Sequence, residues 1–259
     1  MIDPNPAIVP TFLLACAWFA AGDFCYGRRP RLSLTVGVLM AVPCALAILY
    51  YSHLFDNAIW YYELRTVPWI ELAFSGIGFL GGAIHKWNDA ETRVGRVTVP
   101  VVFAVILLIP FIKPILQPLD MAALQDKCAG RVCLQSSYAT CGPASAATLL
   151  RGYGKTVTER ELATASYTYA GGTEIWYLAR AMRRRGVEAE FVLSDRTFPF
   201  PSIAGVRMGG GHFIALEKAT EEAVTFVDPL TGESTITPVQ LRARYRFTGL
   251  FLQVLPGKN

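Results

Sequence analysis

Gln135-Ser136-Ser137-Tyr138-Ala139-Thr140-Cys141-Gly142-Pro143-Ala144-Ser145-Ala146-Ala147-Thr148-Leu149-Leu150 is the stretch on which the reading of this chain turns. From Cys141 onward the residues are small and suited to a helix, and Gly152 and Gly154 end the run. Cys141 therefore opens a helix. A thiol at that position feels the positive end of the helix dipole and the unpaired N–H groups of the first turn, and both favour thiolate. Gln135 lies six residues earlier and carries a carboxamide able to donate to an oxyanion. The backbone N–H of Cys141 supplies a second donor.

The residues downstream carry further start and stop signals. Thr158-Glu159-Arg160-Glu161 is a capping box that opens a second helix. Gly171-Gly172-Thr173 leads into a third, from Glu174 to Arg185, which Gly186 stops. The periodicity then changes. Glu188–Leu193, Ser202–Met208, His212–Glu217, Ala223–Val227 and Phe247–Val254 are short β-branched or aromatic runs between turns. Thr237-Pro238-Val239-Gln240 is another capping box, with proline at the first helical position. Helices first and strands after predict an α+β domain over residues 118–259, with helices packed on an antiparallel sheet.

His212 is the only histidine beyond residue 85, and so the obvious general base of that domain. It follows Gly209-Gly210-Gly211, where a backbone or substrate can approach closely. The next strand ends at Asp228-Pro229. If the two strands are neighbours in suitable register, His212 and Asp228 meet at one end of the sheet. That is the base-plus-orienter pair of nucleophilic catalysis. Each residue alone has a plainer reading, as an inert thiol or a structural imidazole. The combination is far more specific.

The segment Cys133–Val254 resembles the bacteriocin-processing cysteine peptidases, papain-like domains that remove double-glycine leaders in peptide-exporting ABC transporters. Gln135, Cys141-Gly142-Pro143-Ala144, Gly172-Thr173 before a helix, Gly211-His212-Phe213 and Asp228-Pro229 carry the resemblance. It implies Cys141 as nucleophile, His212 as acid/base, Asp228 as orienter, Gln135 as oxyanion donor, and a polypeptide substrate. Two departures stand out. Thr140 occupies a position where the family often has Asp, and the peptidase segment is C-terminal with no Gly-x4-Gly-Lys-Ser/Thr phosphate loop. Leader cleavage by an exporter is therefore not carried over.

The first 117 residues are of another kind, with long uncharged runs near 7–27, 32–52, 67–85 and 97–117. Each approaches the roughly 20 residues that cross a bilayer as a helix. An N-terminal membrane bundle of about four spans is expected, with Gly78 and Gly82 as a site of close helix packing. The alternatives are core helices of a large soluble protein, or three spans with the fourth run on the surface. Met1-Ile2-Asp3-Pro4-Asn5-Pro6 lacks the positive charge of a signal peptide, so the anchor is read as permanent. Arg28, Arg29 and Arg31 follow the first run, and Lys86, Arg93 and Arg96 follow the third. Positive-inside bias places both loops in the cytoplasm, and the C-terminal domain outside. Tyr50, Tyr51, Trp60, Tyr61, Tyr62 and Trp69 read as an aromatic belt at the outer interface. The expected location is a bacterial cytoplasmic membrane, with the peptidase domain on the periplasmic side.

Outside the cytoplasm Cys128 and Cys133 would oxidise to a small-loop disulfide; inside they would be two thiols. Arg180, Arg183, Arg184 and Arg185, at a helix C-terminus, read as a solvated face. Trp176 and Tyr177 read as helix packing. The net charge of +4 is spread along the chain and indicates no nucleic-acid partner. No metal, cofactor or nucleotide site is expected. The function read from the residues is a membrane-anchored cysteine peptidase acting on a secreted or membrane-associated polypeptide. The alternatives are amide transfer or cyclisation at the same site, and a non-catalytic binding module of an export or envelope assembly.

Overall fold

The four apolar runs fold as helices, because a chain of such residues can satisfy its backbone groups within one segment only in that way. A computed structural model describes residues 5–88, 93–209 and 211–257. The Met1–Pro4 start, Gly210 and the Arg93 side chain, all used above, lie outside the described positions. Helices α1 (Ile8–Tyr26) and α2 (Pro30–Leu49) take up the first two runs, the second with proline at its first position. Between the second and third runs lies a short helix, α3 (Ile59–Thr66). The third run is less regular. A seven-residue 3-10 stretch, Ile70–Gly76, leads into α4 (Ile77–Asn88). The fourth comprises α5 (Arg93–Leu108), a 3-10 turn Ile109–Phe111 containing Pro110, and α6 (Ile112–Leu116).

Among the described residues, Ile8–Tyr26, Pro30–Ser52 and Arg96–Leu116 are long and apolar enough to cross a membrane. A fourth candidate combines α3 with Ile70–Asn88 across a bend of 99°.

Residues 5–56 and Trp69–Leu116 cluster into one unit. Its core holds Ala15, Ala41, Cys44, Phe74, Ile77, Leu107 and Phe111. Glycine brings α1 and α4 together backbone to backbone. A Cβ on Gly82 would lie 1.9 Å from the Phe19 carbonyl oxygen, and one on Gly78 would lie 2.2 Å from that of Ala15. The spacing read as small-xxx-small therefore is the contact line. Val9, Leu13, Leu39, Val97 and Val105 face outward, exposed.

The second unit joins Asn57–Pro68 to residues 117–257. It contains the hairpin β1 (Cys128–Ala129) and β2 (Val132–Cys133), then helices α7 (Cys141–Gly152), α8 (Glu159–Ala165) and α9 (Ile175–Arg183). There follow β3 (Val187–Leu193), β4 (Ser202–Val206), β5 (His212–Ala219), β6 (Val224–Asp228), β7 (Gly232–Ile236), α10 (Pro238–Arg244) and β8 (Phe247–Pro256). Both capping boxes read from sequence form, at Thr158 and Thr237. The sheet runs β3-β8-β4-β5-β6-β7, every pairing antiparallel. Its core includes Ile214, Leu216, Phe226, Leu241 and Phe251. The edge strand β7 escaped the sequence reading, because its sequence Gly-Glu-Ser-Thr-Ile is mostly polar.

Two expectations need correction here. Arg180 does not lie on a solvated face: it is 4% exposed. Its guanidinium donates to the carbonyls of Arg65 (2.7 Å), Thr66 (3.3 Å) and Val67 (3.0 Å). Carbonyls at a helix C-terminus have no intrahelical donor, and a planar guanidinium can serve several at once. Arg183 pairs with Glu63 at 2.7 Å and also meets Thr66 Oγ1. The second Glu63 oxygen accepts the Phe191 N–H at 3.1 Å. Tyr61 and Tyr62, read as part of an interface belt, are buried in this unit. Their rings lie 6.2 and 6.3 Å from that of Trp176. Tyr51, Trp60 and Trp69 stay exposed.

Candidate active site

The site is built at the junction of α7 with the sheet. Ser137 caps a 3-10 turn, Tyr138–Thr140, whose end is the start of α7. That turn delivers Cys141 to the first position of the helix, 6% exposed. Upstream, Cys128 and Cys133 are joined by a disulfide, and the Cys133 N–H donates to Thr148 Oγ1 of α7 at 3.0 Å. The hairpin is thus tied to the helix that carries the thiol. Gln135 follows two residues later. Its N–H donates to the Pro229 carbonyl at 3.0 Å, which brings it beside the end of β6. Its Nε2 donates to the Ser137 carbonyl at 2.9 Å, and its Oε1 is buried with no hydrogen-bond partner among the described residues.

His212 is the first residue of β5, paired with Val206 of β4. On the other side β5 pairs with β6, Ala215 opposite Val227. Continuing that register one step sets Asp228 across from Ile214, and His212 is the next same-face residue along β5. The side chains meet there, His212 Nε2 to Asp228 Oδ1 at 2.9 Å. Both are buried, at 6% and 3% exposure. The Cys141 thiol is the other side chain that acts on the imidazole electrostatically.

The electrostatics follow from this geometry. Burial alone would lower the His212 pKa. The hydrogen bond to Asp228 and the interaction with Cys141, with the charges of both, outweigh burial and raise it to about 9. Burial would raise the Asp228 pKa, but donation from His212, Tyr245 and the Leu230 N–H holds it below the usual carboxylate value. An imidazolium beside a thiol and a fixed carboxylate can hold a thiolate, protonate a leaving amine and then activate water.

All four residues singled out from sequence lie around this junction. Tyr245 was not singled out. Its hydroxyl donates to Asp228 Oδ2 at 2.6 Å. The only sequence signal was an aromatic residue among arginines just after α10, Arg242-Ala243-Arg244-Tyr245-Arg246.

Residues 130–259 match the model of the Peptidase C39 family. The chain belongs to that family. It is accordingly a cysteine-type peptidase, and the α+β domain with its antiparallel sheet is the peptidase domain. Residues before 130 lie outside the match. An uncharacterized protein of Methanothermobacter thermautotrophicus is 34% identical over 111 residues, spanning 40% of this chain and 75% of that protein. One from Methanothermobacter marburgensis is 36% identical over 106 residues, 39% of this chain and 73% of its own. Among solved structures, a double glycine motif protease from an AMS/PCAT transporter, in complex with a leader peptide, shares 25% identity. It covers 48% of this chain and 90% of that chain, with a TM-score of 0.43. The peptidase domain of Streptococcus ComA, a bi-functional ABC transporter of a quorum-sensing pathway, shares 20% identity over 48% of this chain and 96% of its own, TM-score 0.42.

Proposed function

We propose that this C39 peptidase is membrane-anchored and cleaves a secreted or membrane-associated polypeptide with Cys141 as nucleophile, His212 as acid/base and Asp228 as orienter. The observation that carries the reading is the buried His212–Asp228 hydrogen bond of 2.9 Å, in the domain whose helix α7 opens on the Cys141 thiol. The Cys141 thiolate attacks the scissile carbonyl. The backbone N–H of Cys141 and the second amide hydrogen of Gln135 receive the oxyanion. The His212 imidazolium gives its proton to the leaving amine, and the neutral imidazole then takes one from the water that releases the acyl group.

The anchor is the set of apolar helices before residue 117. If the third apolar run, near 67–85, crosses as well as Ile8–Tyr26, Pro30–Ser52 and Arg96–Leu116, the segment before it and the peptidase domain fall on one side of the membrane. The packing of Asn57–Pro68 within the peptidase unit favours that count over three spans, which would separate them. Loop arginines and the Cys128–Cys133 bridge favour the extracytoplasmic side.

Purified full-length protein in detergent, incubated with a mixed peptide library, tests the reaction. Cys141→Ala is expected to lose cleavage by about 10³-fold or more. Cuts retained in that variant, read by mass spectrometry, would remove the nucleophile assignment.

A further inference from the structure

We propose that Tyr245 is a positioning residue of the peptidase, its hydroxyl fixing the Asp228 carboxylate so that the carboxylate can orient and stabilise the His212 imidazolium. The proposal rests on the triad reading above and adds a member no local motif reveals. The two carboxylate oxygens have separate tasks. Oδ1 faces His212 Nε2 and also accepts the Leu230 N–H, both at 2.9 Å. Oδ2 accepts the Tyr245 hydroxyl at 2.6 Å, a length characteristic of a hydrogen bond to a charged acceptor. With the hydroxyl gone, Oδ2 would be a buried carboxylate oxygen lacking this donor. Such a group rotates toward another donor or takes up a proton. Either response weakens the partner that His212 needs when it is charged.

The ring is held firmly enough to aim the hydroxyl. Tyr245 is 5% exposed and belongs to the sheet core. Phe226 meets it edge-on at 5.7 Å, and Phe247 lies at 6.4 Å. Its N–H donates to the Leu241 carbonyl at 3.0 Å, tying it to the end of α10. Packing alone would be served as well by phenylalanine; the hydroxyl is the part that touches the triad. Burial, and then the bond to Asp228, push its own pKa upward, so it stays a donor over the working range. The ionisable groups that act on the carboxylate are His212 from β5 and Tyr245 itself; Arg244 acts on the Tyr245 hydroxyl and Cys141 on His212. The Arg244 guanidinium lies 5.3 Å from the Tyr245 ring centroid.

The test needs no substrate. The rate of Cys141 alkylation by iodoacetamide is followed against pH in full-length wild type, Tyr245→Phe, Asp228→Asn and the double variant. Tyr245→Phe is expected to move the acid limb of the profile up by about one pH unit, the scale of one hydrogen bond to a charged group. In the Asp228→Asn background the same change is expected to add no shift, since the hydroxyl acts through the carboxylate. An unmoved limb in folded Tyr245→Phe would overturn the proposal, as would an equal shift in the Asp228→Asn background. Thermal melting establishes folding. If the phenylalanine variant does not fold, 3-fluorotyrosine at position 245 keeps the shape and strengthens the donor. It must move the limb down, and no movement overturns the proposal. Failure of the triad reading shows instead in wild type, as Cys141 reacting no faster than an ordinary exposed thiol, and takes this proposal down with it.

Discussion

The two units of this chain are packed by opposite rules. In the N-terminal helical unit the contact line is glycine against backbone, and large apolar side chains such as Leu13, Leu39 and Val105 point outward. In the peptidase unit large apolar side chains such as Leu216, Phe226 and Phe251 are turned inward. Helix association without a hydrophobic driving force relies on close van der Waals approach, whereas a domain in water is driven by burying apolar area. The outward apolar side chains of the first unit suit an apolar surrounding. The boundary between the units does not follow the sequence. Asn57–Pro68 is flanked by apolar runs yet packs in the peptidase unit, where Arg180 and Arg183 hold it.

Three substitutions would sharpen or break that contrast. The largest effect is expected at Gly82. Gly82→Leu forces atoms into the Phe19 backbone, and should cost about 3 kcal/mol or more in stability. Thermal unfolding in detergent measures it; an unchanged midpoint would mean α1 and α4 do not touch as described. Next is Arg180→Ala, which strips three carbonyls of α3 and its flank of their donor. A loss of about 2–3 kcal/mol is expected, with faster proteolysis within 57–68. Unaltered protection would return that segment to the helical half. The smallest is Cys128→Ser. Closing so short a loop contributes about 2 kcal/mol in the chain-entropy treatment. Wild type should show the same loss on reduction. Finding both thiols free in protein taken directly from cells would place the domain on the reducing side.

Much of the site was legible because its parts are local signals. A thiol opening a helix, a lone histidine opening a strand and an Asp-Pro closing the next can each be read within a few residues. The pairing of His212 with Asp228 also followed, once the two strands were taken as neighbours. The strand β7 was not legible, since an edge strand needs no apolar alternation. The roles of Arg180 and Tyr61 were not legible either. Their side chains fit a solvated helix face and a bilayer interface equally well, and composition cannot separate those settings from a buried cap.

What the sequence determined by itself was the set of elements and the chemistry at their ends. Helix caps, the 2-residue and 3.6-residue periods and the long apolar runs are properties of neighbours along the chain. What only the tertiary structure decided was which distant groups satisfy one another. Arg180 reaches carbonyls more than a hundred residues earlier, and Tyr245 reaches a carboxylate across α10. Such pairings answer a demand created by folding itself. A buried carbonyl or carboxylate oxygen must find a donor, and the nearest donor in space has no fixed distance along the sequence.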